Sequence, residues 1–232
     1  MTETKLRLGA DPLPFQTQHQ SAIDAQWAEE IVRLPRLWNG PQFLFSDVRV
    51  EDDVLFGTAH RTDFATFMFW RKHHRDVPDA PVHITGTSLP YLIDGSMLAV
   101  RMAQHTANAG QAYFPAGSLD PDDVVDGHID IDRNIARETL EETGFAVDID
   151  RTEGGYVAAQ ASGAWHIGYR FGLGMDIAEA QAAVAAHQAA TGDDELAGVF
   201  AVETPEDALD LRPYARMLAE WHFANPPRET GF

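Results

Sequence analysis

The sequence predicts an α/β protein, because segments with a strand-like pattern alternate with segments that have the period of a helix. The clearest helical segment, residues 130–143, ends at Gly144, a residue type that favours the position after a helix. An alanine-rich helix is expected at 177–190, and one or two closing helices at 204–223. Strand-like stretches lie around these helices, at 96–103, 111–119, 155–160, 164–175 and 196–202.

The N-terminal part of the chain predicts a mixture of helix and hairpin. Residues 1–20 show no clear period, whereas 20–34 place apolar side chains on one helical face. Two stretches in which apolar and polar residues alternate flank the acidic residues 51–53, and this pattern predicts a β-hairpin. A second helix, with an apolar body and a basic end, is expected at 62–74.

The chain divides near residue 90 in this interpretation. Residues 75–95 hold three prolines and several turn-forming pairs, which predicts a connector. We therefore expect an N-terminal α+β region at 1–90 and a second domain at 91–232. A length of 232 residues, of which 44% are apolar, suffices for one elaborated domain or two modest ones.

The charge balance excludes several classes of partner. The chain has 36 acidic and 17 basic residues, which gives a formal net charge of -19. Such a balance argues against binding to nucleic acid or to an anionic membrane. Anionic small molecules remain possible ligands, because a bound divalent cation inverts the local electrostatic field.

Residue types and segments that the sequence lacks exclude several kinds of site and predict a cellular location. The chain has no cysteine, which excludes disulfides, thiolate nucleophiles and cysteine-based zinc or iron–sulfur sites. Its ten histidines show no paired metal-binding spacing. The sequence shows no signal peptide and no apolar run of about 18 residues, so we expect a cytoplasmic protein without a transmembrane helix.

Three glutamates crowd one arc of the helix expected at 130–143. At about 100° per residue, Glu138, Glu141 and Glu142 share a face, and Arg137 stands one turn before Glu141. Carboxylates this close repel each other unless solvent, a basic side chain or a cation offsets the repulsion. A solvated acidic surface is the ordinary explanation, and a site for Mg²⁺ or Mn²⁺ is the alternative.

A glycine loop upstream supports the cation site. The segment YFPAGSLDPDD, residues 113–123, runs from a strand through Gly117 to a group of aspartates. Glycine lets the backbone approach a ligand, and its carbonyl oxygen is a ligand that hard cations accept. On the helix, Ala136, Leu140 and Thr143 form a second arc, which is available for packing.

These residues together resemble the signature of the Nudix hydrolases. That signature is Gly, five residues, Glu, seven residues, then Arg-Glu-U-x-Glu-Glu-x-Gly-U, where U is aliphatic. Here Gly117 begins it and RETLEETGF, residues 137–145, closes it. Six fixed positions would match by chance about once in 10⁷ starts, so the match is specific.

The sequence departs from the signature at three places. Asp123 stands where the family has glutamate, and 13 residues separate it from Arg137 where the family has seven. Thr139 takes an aliphatic position, and Ala116 replaces the first glycine of a pair. Because the extra residues fall in an expected loop, they leave the helix unaffected.

The resemblance implies a Nudix-type α/β/α sandwich with a mixed sheet, preceded here by the α+β extension. It also implies a diphosphatase that uses Mg²⁺ or Mn²⁺ to hydrolyse a nucleoside diphosphate linked to another group. By position in the signature, the implied metal ligands are Gly117, Glu138, Glu141 and Glu142. Arg137, Glu138 and Glu142 are the implied catalytic residues, with Arg137 orienting the glutamates and Glu138 acting as a ligand or as the base for water. A nucleotide-binding regulatory module without turnover is the alternative on the same fold.

Residues outside the signature are expected to choose the substrate. The segments RLPRLWNGPQF and HRTDFATFMFW together resemble a Nudix subgroup that hydrolyses UDP-sugars. ADP-ribose, other nucleotide sugars, dinucleoside polyphosphates and CoA derivatives stay open. Candidate substrate-binding residues are Asp123, Arg170 and Glu195, and the acidic run 193–195 is also a candidate for completing the metal site. The expected partner is a small nucleoside diphosphate derivative, and a homodimer is open.

Overall fold

The computed structural model describes residues 1–147 and 152–227. Within these ranges it contains five α-helices and twelve strands, so the predicted α/β class is confirmed. The helices are α1 (Pro14–Arg33), α2 (Phe64–His73), α3 (Ile131–Thr143), α4 (Ile177–Thr191) and α5 (Pro213–Ala224). The strands are β1 (Glu3–Leu8), β2 (Pro41–Glu51), β3 (Val54–Asp63), β4 (His83–Tyr91), β5 (Met97–Met102), β6 (Ala112–Tyr113), β7 (Ala116–Ser118), β8 (Val124–Val125), β9 (His128–Ile129), β10 (Val157–Ala161), β11 (Ala164–Gly172) and β12 (Leu196–Val202). None of the helices in this part of the chain has the length and apolar character needed to cross a membrane.

The strands form two sheets. The first has the order β2-β3-β1-β9-β8, in which β1 is parallel to β3 and antiparallel to β9. The second has the order β10-β11-β4-β5-β12, with β6 beside β5 and β7 beside β4. In the second sheet β5 is antiparallel to β4, β6 and β12.

The chain forms two compact units, each assembled from separate stretches of sequence. The first unit consists of residues 1–85, 118–134 and 160–166. The second consists of the described residues within 86–117, 135–159 and 167–232. The division into a region at 1–90 and a domain at 91–232 stays a prediction.

The hairpin expected around residues 51–53 is confirmed. Strands β2 and β3 are antiparallel, and Glu51 pairs with Val54 across the turn. The two residues between them, Asp52 and Asp53, have φ values of 48° and 64°. A two-residue turn with positive φ at both positions matches the right-handed twist of the strands, and aspartate tolerates that conformation.

The start of α2 has a partner for each of its first three N–H groups. The N–H of Phe64 donates to the Gly40 carbonyl oxygen at 2.9 Å. The next two N–H groups donate to the side chains of Asn39, at 2.7 Å, and Asp63, at 2.8 Å. The Asn-Gly and Thr-Asp pairs of the sequence therefore fasten the beginning of this helix, whose amides have no partner within the helix.

The expectation that residues 1–20 are irregular is wrong. Strand β1 and the first two turns of α1 lie in this segment, and Pro14 stands within the first turn of the helix. Proline suits that place because its missing N–H has no partner there in any case. The strand escaped prediction because most of its residues are polar and only Leu6 is fully buried.

The expectation that residues 75–95 form only a connector is also wrong. Strand β4 runs through this segment, and every one of its nine residues is buried. Two of its polar side chains have partners far away in sequence: Thr85 Oγ1 lies 2.7 Å from His166 Nδ1, and the Ser88 hydroxyl donates to the Pro115 carbonyl oxygen at 3.3 Å. Such tertiary partners help these polar residues to stay buried, and no local pattern reveals them.

The inserted residues after Asp123 are more ordered than a loop. Strands β8 and β9 pair as a hairpin, and β9 also pairs with β1 through Leu6 and Arg7. Asp126 and Gly127 form the turn with positive φ values of 48° and 79°. Strands of two residues are too short to give a periodic signal, so the sequence suggested only a loop.

Replacing Asp63 by alanine should lower the free energy of unfolding by about 1 kcal/mol, because the third N–H of α2 then loses its acceptor. Urea unfolding measures the change. Asp76→Ala is the matched control, since it removes the same charge from a side chain that is 71% exposed and paired only with Arg75. Equal losses in the two variants would show that the charge matters and the cap does not.

Candidate functional site

The loop that carries Gly117 is anchored by strand β4. The N–H of Ser88 donates to the Pro115 carbonyl oxygen at 2.8 Å, and the Ser88 hydroxyl donates to the same oxygen at 3.3 Å. Strand β7, which begins at Ala116, lies beside β4. A buried strand thus fixes the backbone against which the glutamates of α3 rest.

The carboxyl group of Glu138 lies directly against Gly117. A Cβ atom added to Gly117 would stand 1.8 Å from Cδ of Glu138 and 2.1 Å from its Oε1. Atoms cannot approach that closely, so any other residue would displace this carboxylate. The glycine is therefore required here for close approach, the use that a ligand-cradling loop makes of it.

Glu142 stands beside the same loop and is buried, with 9% of its surface exposed. The N–H of Ala116 donates to its Oε2 at 3.3 Å. Burial raises the pKa of Glu142 well above its ordinary value, and the charge of Glu138 raises it further. Two carboxylates thus share a place where their negative charges repel each other.

Arg137 joins the two outer glutamates of the helix. Its Nη1 lies 3.0 Å from Oε1 of Glu138 and 3.1 Å from Oε2 of Glu141. The Glu141 side chain is 58% exposed, whereas those of Arg137 and Glu138 are 21% and 17% exposed. Arg137 thus pairs with both glutamates, and Glu141 faces the solvent side of the helix; the orienting role that the resemblance implies for Arg137 stays a prediction.

The buried face of α3 differs from the expected one. Thr143 is buried as expected, but Leu140, also expected to pack, is 47% exposed, and the buried face is completed by Ile135 and Thr139. The Thr139 hydroxyl donates to the Ile135 carbonyl oxygen at 2.6 Å, and the Thr143 hydroxyl donates to the Thr139 carbonyl oxygen. Threonine fits this apolar face because the preceding turn accepts its hydroxyl proton.

The C-terminal end of α3 is held by α4. Gly144 follows the helix with a φ of 78°, the left-handed conformation that favours glycine after a helix end. His187 of α4 has its Nε2 2.9 Å from the Glu141 carbonyl oxygen, so this nitrogen donates the bond. A Cβ on Gly144 would meet the His187 ring at 2.8 Å, so the helices approach closely at this point.

The acidic turn before β12 acts on the same carboxylate. Burial and Glu138 are the main causes of the raised pKa of Glu142, and the charges of Glu195 and Asp193 raise it further. The backbone of this turn is fixed, because the Glu195 N–H donates to Asp193 Oδ1 at 2.8 Å and the Ala103 N–H donates to the Glu195 carbonyl oxygen at 2.7 Å. Glu195 thus lies within electrostatic reach of Glu142.

Asp123 has no exposed surface in the structure. Its Oδ2 accepts hydrogen bonds from the Asp120 N–H at 3.0 Å and from Asn134 Nδ2 at 2.8 Å. The carboxylate therefore closes the short turn Pro121–Asp123 and ties it to the first turns of α3. In this arrangement it stabilises the backbone and touches no bulk solvent.

Arg170 is also buried, with only 4% of its side chain exposed. Its Nε donates to Glu153 Oε2 at 3.0 Å, and its Cζ lies 4.7 Å from the centre of the Trp221 ring. The same guanidinium donates to the Asn225 carbonyl oxygen. Arg170 of β11 thus forms an interior ion pair with Glu153, and the expectation that it binds substrate stays a prediction.

Two tyrosines near Glu142 gave no signal in the sequence. The rings of Tyr113 and Tyr214 have centroids 6.4 Å apart, and both residues are buried. Burial raises the pKa of each phenol, and the negative charge of Glu142 adds to the effect on both. Both phenols therefore lie within electrostatic reach of the Glu142 carboxylate.

The donor set fits a hard cation in chemistry, although the side chains are not placed as a closed site. Within residues 1–147 and 152–227, no three His, Asp or Glu side chains stand where they could hold a metal ion together. Glu138 and Glu142 nevertheless present carboxylate oxygens beside a glycine backbone, the ligand types that Mg²⁺ and Mn²⁺ prefer. Burial is the main cause of the raised pKa of Glu142, and the charge of Glu138 adds to it.

Comparison with known proteins gives structural neighbours only. No family model matches the chain, and no curated protein matches it. Solved structures with a similar fold include a MutT protein from Methanosarcina mazei Go1, with 22% identity over 65% of this chain and 99% of that chain, at a TM-score of 0.42. Others are a NUDIX hydrolase from Nitrosomonas europaea (17%, 63% and 91%, TM-score 0.41) and the NUDIX domain of Shewanella oneidensis NrtR complexed with ADP ribose (13%, 69% and 98%, TM-score 0.42). Structural similarity with such low identity and TM-score says nothing about activity, so only the chain's own residues bear on its function.

Glu142→Gln should stabilise the metal-free protein at neutral pH. A carboxyl whose pKa is raised on folding costs stability once the pH passes its unfolded pKa, near 4.3, and costs nothing below it. The melting temperature in EDTA should therefore rise in this variant at pH 7 and match the wild type near pH 4. Glu141→Gln, which alters an exposed side chain, is the control. A gain that persists at pH 4 would mean that the charge of Glu142 is not the cause.

Asp123→Ala should lower the free energy of unfolding by about 1–3 kcal/mol, because it leaves two donors without their acceptor. Asp123→Asn keeps one acceptor oxygen and should cost less. Urea unfolding of both variants measures the difference. If Asp123 binds substrate instead, Asp123→Asn would raise KM while the unfolding midpoint stays unchanged.

Proposed function

We propose that the chain is a Nudix-type diphosphatase, which uses a divalent cation to hydrolyse the pyrophosphate bond of a nucleoside diphosphate linked to another group. The observation that carries the proposal is the pair of carboxylates, Glu138 and Glu142, gathered against the Gly117 loop. Burying a second carboxylate beside the first destabilises the protein unless a positive ligand meets them there. The spacing of the signature and this arrangement in space point to the same residues.

The proposed ligands of the cation are Glu138, Glu141, Glu142 and the Gly117 carbonyl oxygen. A bound Mg²⁺ or Mn²⁺ would neutralise the pyrophosphate oxygens and the charge that develops on them. Glu138 and Glu141 contact Arg137 in the structure, so Arg137 can keep their carboxylates oriented.

Proton transfer is proposed for Glu142 or, alternatively, Glu138. A carboxylate with a raised pKa is a stronger base at neutral pH, and burial beside Glu138 raises the pKa of Glu142. Glu138 is the alternative base, because it rests on the Gly117 backbone at the mouth of the same loop. Tyr113 and Tyr214 contribute by excluding water from the far side of Glu142.

For the substrate we propose a nucleotide sugar such as a UDP-sugar. Its support is the resemblance carried by the Asn-Gly and Thr-Asp segments. The structure gives Asn39, Gly40 and Asp63 a second explanation, since they supply the acceptors at the start of α2. ADP-ribose, dinucleoside polyphosphates and CoA derivatives therefore belong in the same test.

A regulatory module that binds nucleotides without turnover is the second candidate. The observation that favours it is the lack, among the described residues, of three side chains already placed around a metal ion. Such a module would bind a nucleotide and leave the pyrophosphate bond intact.

Product release from a panel of nucleotides tests both candidates. The panel contains UDP-sugars, ADP-ribose, dinucleoside polyphosphates and CoA, each with Mg²⁺, with Mn²⁺ and with EDTA. Cleavage of one class that stops in EDTA is the result expected of the diphosphatase, and that class identifies the substrate. Binding seen by thermal shift without any cleavage would support the regulatory module and overturn the enzyme.

Gly117→Ala and Glu138→Gln should produce the same defect. The added methyl group displaces the Glu138 carboxylate, and the amide removes its charge, so each should lower kcat by about 10²–10³-fold. The double variant should be no worse than either single one, because both changes remove one interaction. Multiplied losses in the double variant would show that Gly117 acts through something other than Glu138.

A further inference from the structure

A basic groove lies on the first sheet, in the first compact unit. It has a volume of about 470 Å³ and is formed by β1, β2 and β3. The lining side chains that matter for its chemistry are Lys5, Arg7, Arg49, Phe56 and Thr58. None of these residues belongs to the Gly117 loop or to α3, so the groove is separate from the site of the proposed function.

An irregularity in β2 shapes the groove. The register of β2 against β3 shifts between Ser46 and Arg49, and Asp47 has φ of 56°. Such a bulge bends the strand away from its neighbour. Opposite it, Gly57 has no side chain, and a Cβ there would stand 3.0 Å from Leu6.

The groove has a charge opposite to that of the chain. Its lining residues include three cations and one carboxylate, Asp47, whereas the chain as a whole has a formal net charge of -19. Two of the cations flank one aromatic ring: Lys5 Nζ lies 5.9 Å and Arg49 Cζ lies 4.9 Å from the centre of Phe56. A local excess of positive charge around an aromatic surface distinguishes this place from its surroundings.

The cations are available to a ligand. Arg7 donates its Nε to Thr58 Oγ1 at 3.1 Å and has no carboxylate partner in the described part of the chain. Lys5 pairs with Glu3 at 3.2 Å and Arg49 with Glu51 at 2.8 Å, through side chains that are 50% and 51% exposed. Exposed ion pairs contribute little, so a stronger anion can replace Glu3 and Glu51.

We propose that this groove binds a phosphorylated small molecule, with the phosphate on Arg7, Lys5 and Arg49 and a planar or apolar group on Phe56. A guanidinium forms paired hydrogen bonds with phosphate oxygens, and aromatic rings stack on planar groups. The volume suits a ligand the size of a nucleotide. A long polyanion does not fit, because the rest of the chain repels it.

Calorimetric titration of the full-length protein with AMP, in EDTA and at low salt, tests the site. AMP carries a phosphate and a planar base but no anhydride bond, so it cannot be consumed by a diphosphatase. Arg7→Gln should weaken binding about tenfold, the effect of losing one charge-assisted hydrogen bond. Arg216→Gln is the matched control, because Arg216 forms an exposed pair with Glu220 at 2.9 Å, much like that of Arg49.

Additional variants and ligands test the same groove if the first variant cannot be used. If Arg7→Gln fails to fold, the double change of the exposed Lys5 and Arg49 to glutamine replaces it and should weaken binding at least as much. Adenosine should bind more weakly than AMP, and Glu142→Gln should leave AMP binding intact. The proposal fails if the wild type shows no saturable binding or if Arg7→Gln behaves like Arg216→Gln. It also fails if Glu142→Gln changes the affinity for AMP, since neutralising that carboxylate should affect only a nucleotide bound beside α3.

Discussion

The repulsion between Glu138 and Glu142 is the constraint on which the arrangement around α3 depends. Both carboxylates stand against the Gly117 loop, and burial prevents water from screening Glu142. Arg137 offsets part of the charge on the Glu138 side only. The carboxylates keep their places because rigid elements hold the backbone on each side, β4 at the loop and His187 at the end of the helix.

This arrangement favours function over stability. Burial removes water from Glu142, and the charges of Glu138, Glu195 and Asp193 make its charged form less stable, whereas the hydrogen bond from the Ala116 N–H stabilises it. A protein selected only for stability would replace one of these acids by a neutral residue. In the proposed function these acids would meet a cation and a pyrophosphate, and binding of the cation would recover the lost stability by mass action.

The elements around this site differ in how far the sequence could predict them. Helix α3 and Gly144 were predictable, because the charged arc and the glycine are local signals. Strand β4 was not, because its Thr85 and Ser88 are held in the interior by distant partners, His166 and Pro115. The β8–β9 hairpin was missed for a different reason: its pairing with β1 joins residues about 120 positions apart, and no window of sequence contains both.

By itself the sequence determined which groups are present and how far apart they lie along the chain. These spacings were enough to predict that Arg137, Glu138 and Glu142 lie near Gly117. In a helix the number of residues between two positions fixes the face on which each side chain lies, and a glycine lets a loop approach that face closely. The tertiary structure decided which side chains face inward. It buried Asp123 and Arg170 in hydrogen bonds and turned Leu140 outward, because burial depends on neighbours from distant segments that local spacing does not specify.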